Sequence, residues 1–348
     1  MNKINKIRNL SLLCLSFLGM ASCNKTGSVS SNPTTEKATE SSAKEEQSAS
    51  TSTYDKSATK KTVTFGTYPQ SKVTDESKIE TLNNKAGNLP SSSALGNWKD
   101  YGFYLNGKQE SYSFYIDIDE DGDGKNDYRG VYFTHYRSTR MDHAEKDDDD
   151  FTQKDNGFLV NTVYWFKYET INWEVLDVDG DYSYIISPVL DVTNYYHSVD
   201  KRSTATDYQG NTVTQEILPN NYKYSDMRTF LNTTFYNLAF SKDEQNKVQT
   251  YTVKNPTDGD TSDKVFILSA SECQTYYDVN NTVRHSDYSA AIGLGITGER
   301  DSVLTWTRTP STISSEGVIT AFNSAYTSIT NSILSTSVGV RAVVKAKL

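Results

Sequence analysis

YWFKYETINWEVLDVDGDYSYIISPVL, Tyr164 to Leu190, reads as two strands about a tight turn. β-prone residues run up to Asp179–Gly180 and resume after it, and an Asp-Gly pair between two such runs is a strong hairpin signal. Trp173, Val175 and Leu176 give the first strand its apolar content, and Tyr184 to Ile186 do so for the second. Working outward, SYSFYIDID places Tyr112, Phe114, Ile116 and Ile118 on one side, and YRGVYF (Tyr128 to Phe133) is a second β-prone run. The acidic stretch between them is the tip of another hairpin. Earlier still, TVTFGTYPQ (Thr62 to Gln70) alternates as a strand, and Val73 to Gly87 reads as a short helix with Thr74 as its cap and Gly87 as its stop.

On the other side, the polar stretch Ser198 to Asn221 reads as loop. Ser225 then caps an amphipathic helix with Met227, Phe230, Leu231, Phe235 and Leu238 at helical spacing. Ser241 with Glu244, and Ser269 with Glu272, are capping boxes opening two more short helices. DKVFILS (Asp263 to Ser269) between them reads as a buried strand. From Gly293 the chain is Gly/Ser/Thr-rich with short β-prone runs, and VGVRAVVKAKL at its end suggests a closing strand, a candidate partner for the opening one. Together these predict an α+β fold: a mostly antiparallel sheet with short helices and a loop-rich C-terminal half.

The first residues speak to location. Lys3, Lys6 and Arg8 precede an apolar run, Leu10 to Met20, too short for a bilayer, which takes about 20 residues. Ala21, Ser22 and Cys23 follow. The segment resembles a bacterial lipoprotein signal (residues 1–23), in which that cysteine receives lipid and becomes the new N-terminus; the plainer alternative is an ordinary signal peptide with an incidental cysteine. Residues 24–61, rich in Ser, Thr, Lys, Glu and Ala, cannot bury enough surface to offset ordering entropy and read as a disordered tether. Residues 62–348 form the folded part. Beyond the signal and Cys23 its one cysteine is Cys273, so the fold holds by packing and not by an intrachain disulfide. The net charge of −9, with no basic stripe, argues against a nucleic-acid partner. The 24 tyrosines, with many Asn, Ser and Thr, suit an extracellular recognition surface.

Several blocks together resemble the bacterial family called domain of unknown function 6273: F-G-x-Y-P-Q (Phe65 to Gln70), a strand like E-P-I-x-W-x-V-L (Glu169 to Leu176), S-x-x-R-x-x-L-N-x-x-F-Y-N-x-A-F-S-x-x-E (Ser225 to Glu244), D-K-V-F-x-L-S (Asp263 to Ser269), W-x-R-[ST]-P (Trp306 to Pro310) and a closing G-V-R-P (Gly339 to Ala342). Thr170, Glu174 and Ala342 depart from that pattern. The resemblance marks residues 71–161, acidic hairpin included, as an insertion. It implies a C-type-lectin-like layout, in which terminal strands and two helices support a loop-rich face that binds ligands.

Two sets of candidate site residues emerge. Asp117, Asp119, Asp121, Asp123 and Asp127 crowd the hairpin tip, where each close pair costs about 1 kcal/mol or less in water. Oxygen-only ligands on a curling loop favour Ca²⁺, although no glutamate stands at the twelfth position that an EF-hand needs; the alternative is a solvated turn rich in turn formers. Trp306, Arg308 and Arg341, which the resemblance brings together, are a candidate ligand pocket, with a core Trp and structural arginines as the plainer reading. The four histidines, His135, His143, His197 and His285, have no metal-ligand spacing. No catalytic residue is assigned. The expectation is an exported, lipid-anchored protein on the extracytoplasmic face of the cell membrane, bound to the bilayer through Cys23. Its domain would recognise a glycan, a protein or a cell-wall component. The alternative is a cell-envelope hydrolase, favoured if the deepest pocket holds a buried cluster of titratable groups with strongly shifted pKa values.

Overall fold

The computed structural model describes residues 61–105, 108–137, 152–198, 200–255, 257–277, 283–297, 302–315, 317–322, 329–333 and 337–348. The chain divides into two units, Met1–Thr51 and Ser52–Leu348, and every described residue belongs to the second. Cys23, the tether through residue 60 and His143 lie outside the described residues. No helix among the described residues is long and apolar enough to cross a membrane.

The chain is α+β, and its sheets are mostly antiparallel. A seven-stranded sheet runs in the order Val343–Lys347, Tyr182–Ile186, Tyr164–Asp179, Tyr128–Phe133, Ser113–Ile118, Lys99–Asp100, and the opening strand Thr62–Lys72 also pairs with Tyr164–Asp179. Both predicted hairpins are present: Ile118 pairs Tyr128 across the acidic tip, and Asp179 pairs Tyr182. The second turn therefore centres on Gly180 and Asp181, one residue later than expected, with Gly180 at φ +57. A six-stranded sheet is ordered Ile329–Ile333, Gly317–Phe322, Ser302–Pro310, Val338–Val340, Asp191–Thr193, with Ile296–Thr297 also paired to Ser302–Pro310. Its parallel element is Thr305 opposite Gly339. The closing strand, Val343–Lys347, pairs with Tyr182–Ile186 and not with the opening strand. The residues expected as an insertion supply three strands of the seven-stranded sheet, so they share its backbone ladder.

Local chemistry explains the motif blocks. In the opening strand Phe65 is buried, and its carbonyl accepts from Trp173 Nε1 at 2.5 Å. Gly66 sits at φ +69, where a Cβ would lie 2.6 Å from the Ala239 carbonyl. Only glycine allows that approach of strand to helix end. The first helix, Glu76–Ala86, is capped by Asp75, one residue after the expected Thr74, with Asp75 Oδ1 accepting from Lys78 N at 2.8 Å. The helix after Ser225 runs Asp226–Phe230, widens to a π turn over Leu231–Phe235, and resumes at Tyr236–Ala239. Both capping boxes form, at Ser241/Glu244 and Ser269/Glu272.

Two expectations differ from the structure. Asp263–Ser269 is buried, but its strand ends at Asp263. Side chains take over its backbone partners: Asn232 Oδ1 accepts from Lys264 N at 2.9 Å and Val265 N at 3.1 Å, and Asn232 Nδ2 donates to the Val265 carbonyl at 2.8 Å. Phe266 then exchanges backbone bonds with Val343. The stretch read as loop contains a hairpin, Arg202–Thr206 with Thr212–Ile217, turned by Asp207, whose Oδ1 accepts from Gln209 N and Asn211 N.

The main core fills the space between the sheets and the helices, with Tyr68, Phe166, Trp173, Phe235, Trp306 and Val343 among its members. A smaller one packs Leu82 of the first helix against Trp98, Phe114 and Trp165. Cys273 belongs to the main core, and burial pushes its thiol up to about 12. It packs as a small apolar residue of that core.

Candidate functional site

The best-formed cavity, about 380 Å³, opens between the expected insertion and the rest of the domain. That volume falls within the roughly 300–1,000 Å³ usual for small-ligand sites. Its floor joins three distant segments: Tyr68 of the opening strand, Asp191 of Asp191–Thr193, and Tyr288 of the helix Asp287–Ala291. One wall comes from Tyr101, Phe103, Tyr115, Arg129 and Arg137. The other carries Asn194, His197, Asp226, Phe230 and Thr234.

The floor is a buried network of titratable groups. Tyr68 Oη donates to Asp191 Oδ2, and Val192 N donates to Asp191 Oδ1 at 2.7 Å. Burial pushes the Asp191 carboxyl above the usual carboxylate range, against the lowering effect of those two bonds. The Tyr68 phenol is raised well above its ordinary value, first by burial and then by the neighbouring Asp191 charge. Tyr101 and Tyr288 hydroxyls lie 2.9 Å apart, and both are raised by burial. Arg129 Nη1 donates to Tyr288 Oη at 3.2 Å, while its Nε and Nη2 grip Asp117 at 2.7 and 2.8 Å.

The wall is a stack of planar groups. The Arg137 guanidinium lies 3.7 Å from the Phe103 ring centre. Phe103 stacks on Tyr101 at 4.8 Å and 12°, Tyr101 meets Tyr115 at 4.8 Å, and Arg129 covers Tyr115 at 4.5 Å. Cations over aromatic faces are attracted by the ring quadrupole, so each plane in this series holds its neighbour. At the rim, Asp226 Oδ2 accepts from both the backbone N and the ring Nδ1 of His197 at 2.8 Å.

The residues singled out in the sequence lie elsewhere. Of the five tip aspartates, Asp119, Asp121 and Asp127 offer carboxylate oxygens within 4.8 Å of one another. Asp117 is turned inward onto Arg129, and Asp123 pairs with Lys125 at 3.2 Å. The tip is organised by its own backbone: Asp119 accepts from Gly122 N and Gly124 N, and Asp127 from Glu120 N. Trp306, Arg308 and Arg341 do not line the cavity. Trp306 Nε1 donates to the Thr193 carbonyl at 2.8 Å, behind the cleft wall. Arg308 holds Glu272 at 2.5 and 2.7 Å and the Ile267 carbonyl at 2.7 Å. Arg341 donates to the Ser187 carbonyl at 2.9 Å, with Glu174 at 3.7 Å and the Tyr277 ring at 5.1 Å. All three are buried, with side chains occupied within the protein.

Sequence reading assigns no site role to Asp191, Arg129, Arg137, Tyr288 or His197, because the fold brings them together from three distant stretches of chain. The one available signal was the tyrosine of F-G-x-Y-P-Q: a strand residue kept polar at its tip while facing the core is a residue that reaches for something.

Residues 195–345 match the family model described as Domain of unknown function (DUF6273). No curated protein and no solved structure matches the chain. The two earlier sequence blocks, Phe65–Gln70 and Glu169–Leu176, precede the matched residues yet pair with each other in the seven-stranded sheet, and Gly66 packs on Ala239. The cleft thus has one wall mainly inside the matched region and one wall outside it.

Proposed function

We propose, for this member of the domain of unknown function 6273 family, an exported recognition protein, moored by lipid on Cys23 to the extracytoplasmic face of the cell membrane. Its cleft binds a small polar ligand, and a glycan suits it best. The observation that carries this reading is the cleft itself: aromatic rings already locked by arginine stacking share one cavity with the polar groups Asn194, His197 and Asp226. A preorganised site loses little entropy on binding, and rings beside hydrogen-bonding groups match the two faces of a sugar. The C-type-lectin-like layout belongs to the same proposal, and so does a Ca²⁺ ion held by Asp119, Asp121 and Asp127 that stiffens the hairpin tip.

The test is a glycan panel scored by thermal shift on the full chain, alongside Thr234→Trp. Thr234 is exposed and lines the cleft, so the larger ring fills the mouth without disturbing the core. Binding that disappears in Thr234→Trp supports the site; binding that survives moves it elsewhere. Cys23→Ala should release the protein from the membrane fraction.

The buried, shifted groups of the cleft floor are the feature named above as favouring a cell-envelope hydrolase, which is the second reading. Asp191 is buried in the cavity with a raised carboxyl pKa, a setting that suits a general acid. Against it, among the described residues the hydroxyls lining the cleft belong to threonines and tyrosines, and no serine or cysteine joins them to serve with His197 as a nucleophile–base pair. Turnover of any panel glycan, abolished by Asp191→Asn with binding retained, would select the hydrolase.

A further inference from the structure

Five arginines are buried to 5% exposure or less: Arg129, Arg137, Arg228, Arg308 and Arg341. Four face a carboxylate within ion-pairing distance, namely Asp117, Asp263, Glu272 and Glu174 in that order. Arg137 has none among the described residues, and it is the one of these without a counter-charge that lines the cleft. Neutral acceptors hold it instead. Nη1 donates to the Val192 and Ile292 carbonyls at 2.9 and 3.0 Å, and Nη2 reaches Asn194 Oδ1 at 3.4 Å. A guanidinium carries five N–H groups. Three are used in these bonds, so Nε–H and one N–H of Nη2 are left without a partner among the described residues.

A buried charge without a counter-charge is costly. Asp191 acts on Arg137 only at a distance: its carboxyl is hydrogen-bonded to Tyr68 and Val192 N and makes no direct ion pair with the guanidinium among the described residues. Asp226 is committed to His197. The stacking on Phe103 fixes the guanidinium plane, which prepares the fork for a planar, two-oxygen partner. Three carboxylates, Asp100, Asp191 and Asp226, share the cavity. They would repel a dianionic phosphate more strongly than a single negative charge.

We propose that the cleft captures its ligand through a carboxylate seated on Arg137. This rests on the cleft being the ligand site. Acidic sugars and the C-terminal ends of peptides are two kinds of molecule that present such a group.

The experiment is calorimetric titration of the full chain with two matched pairs, glucuronate against glucose and N-acetylalanine against N-acetylalaninamide. At least one anion should bind about tenfold or more tightly than its neutral counterpart, as one charge-assisted contact implies. A preference within the first pair alone assigns an acidic sugar, and within the second alone a peptide end. Arg137→Gln should erase the preference, and Arg137→Lys, which keeps charge but loses the fork, should retain part of it. Where Arg137→Gln does not fold, the wild-type pairs still test for a carboxylate preference, and Arg137→Lys then tests whether Arg137 is its seat. Equal binding within both pairs, or an anion preference that survives Arg137→Gln, overturns the carboxylate seat while leaving the cleft as a binding site. Silence from all four compounds at roughly 10 mM overturns the seat as well, and the glycan panel with Thr234→Trp then judges the cleft on its own.

Discussion

Arg308 and Arg137 are both buried arginines, and they teach opposite lessons. Around Arg308 every need is met from within: Glu272 takes two bonds, and the Ile267 and Lys254 carbonyls take the rest. That end of the domain is closed chemistry, used to pin the segment Asp263–Ser269 that lacks a strand ladder of its own. Around Arg137 the protein supplies neutral acceptors and an aromatic face, and stops. The family motif W-x-R-[ST]-P marks the first arginine, and no motif marks the second. A memorable sequence block thus points to the residues that hold the fold, while the open chemistry sits at ordinary positions.

The sharpest way to break this contrast is Arg308→Ala. Removing the guanidinium leaves the part-exposed Glu272 and the Ile267 and Lys254 carbonyls without their donors, so unfolding in denaturant should show a loss of about 3 kcal/mol, with the cleft's ligand preference unchanged in whatever folds. A variant of normal stability that no longer binds would reverse the two roles. Tyr68→Phe probes the cleft floor with a smaller effect. Losing the phenol bond to a buried carboxylate should cost about 1–3 kcal/mol, measured the same way.

The pH dependence of stability separates the regions further. The Asp191 carboxyl is raised in the folded state, so over the window between its unfolded and folded pKa the native protein binds more protons than the unfolded chain. Its contribution is therefore most favourable at and below the unfolded value, about 3.9. It weakens as pH rises through the folded value, and stays level above. Wild-type stability minus that of Asp191→Asn should fall with rising pH across that window; a flat or rising difference would show Asp191 to be ionised and well solvated. Smallest is the tip. Millimolar Ca²⁺ on a millimolar site stabilises by only about 0.4 kcal/mol, so the melting point should shift slightly against chelator, and Asp121→Ala should remove the shift. Identical melts in both would leave Asp119, Asp121 and Asp127 as a solvated turn.

Much of the fold was legible because its signals are local. The Asp-Gly turn, the alternation of Phe114, Ile116 and Ile118, and the Ser–Glu capping boxes each act within a few residues. The hairpin Arg202–Ile217 was not legible, because its strands expose polar residues on most positions and bury little beyond Ala205 and Ile217. Without one buried face, period-two patterning has nothing to show. Asp263–Ser269 carries the composition of a strand, yet Asn232 satisfies its backbone from a helix more than thirty residues away in the chain. The cleft was hidden for a related reason: a site built from distant stretches of chain has no spacing to read.

One feature of the topology reaches beyond the site. The strand Val343–Lys347 zips onto Tyr182–Ile186, and Lys345 clasps Asp179 across 166 residues of chain. Such distant pairing is slow to find, and it cannot begin until residue 343 has been synthesised. A nascent polypeptide of this design stays unzipped while most of it emerges. Export as proposed above would draw on that delay, since a chain still unzipped can be threaded through a narrow channel before it takes shape.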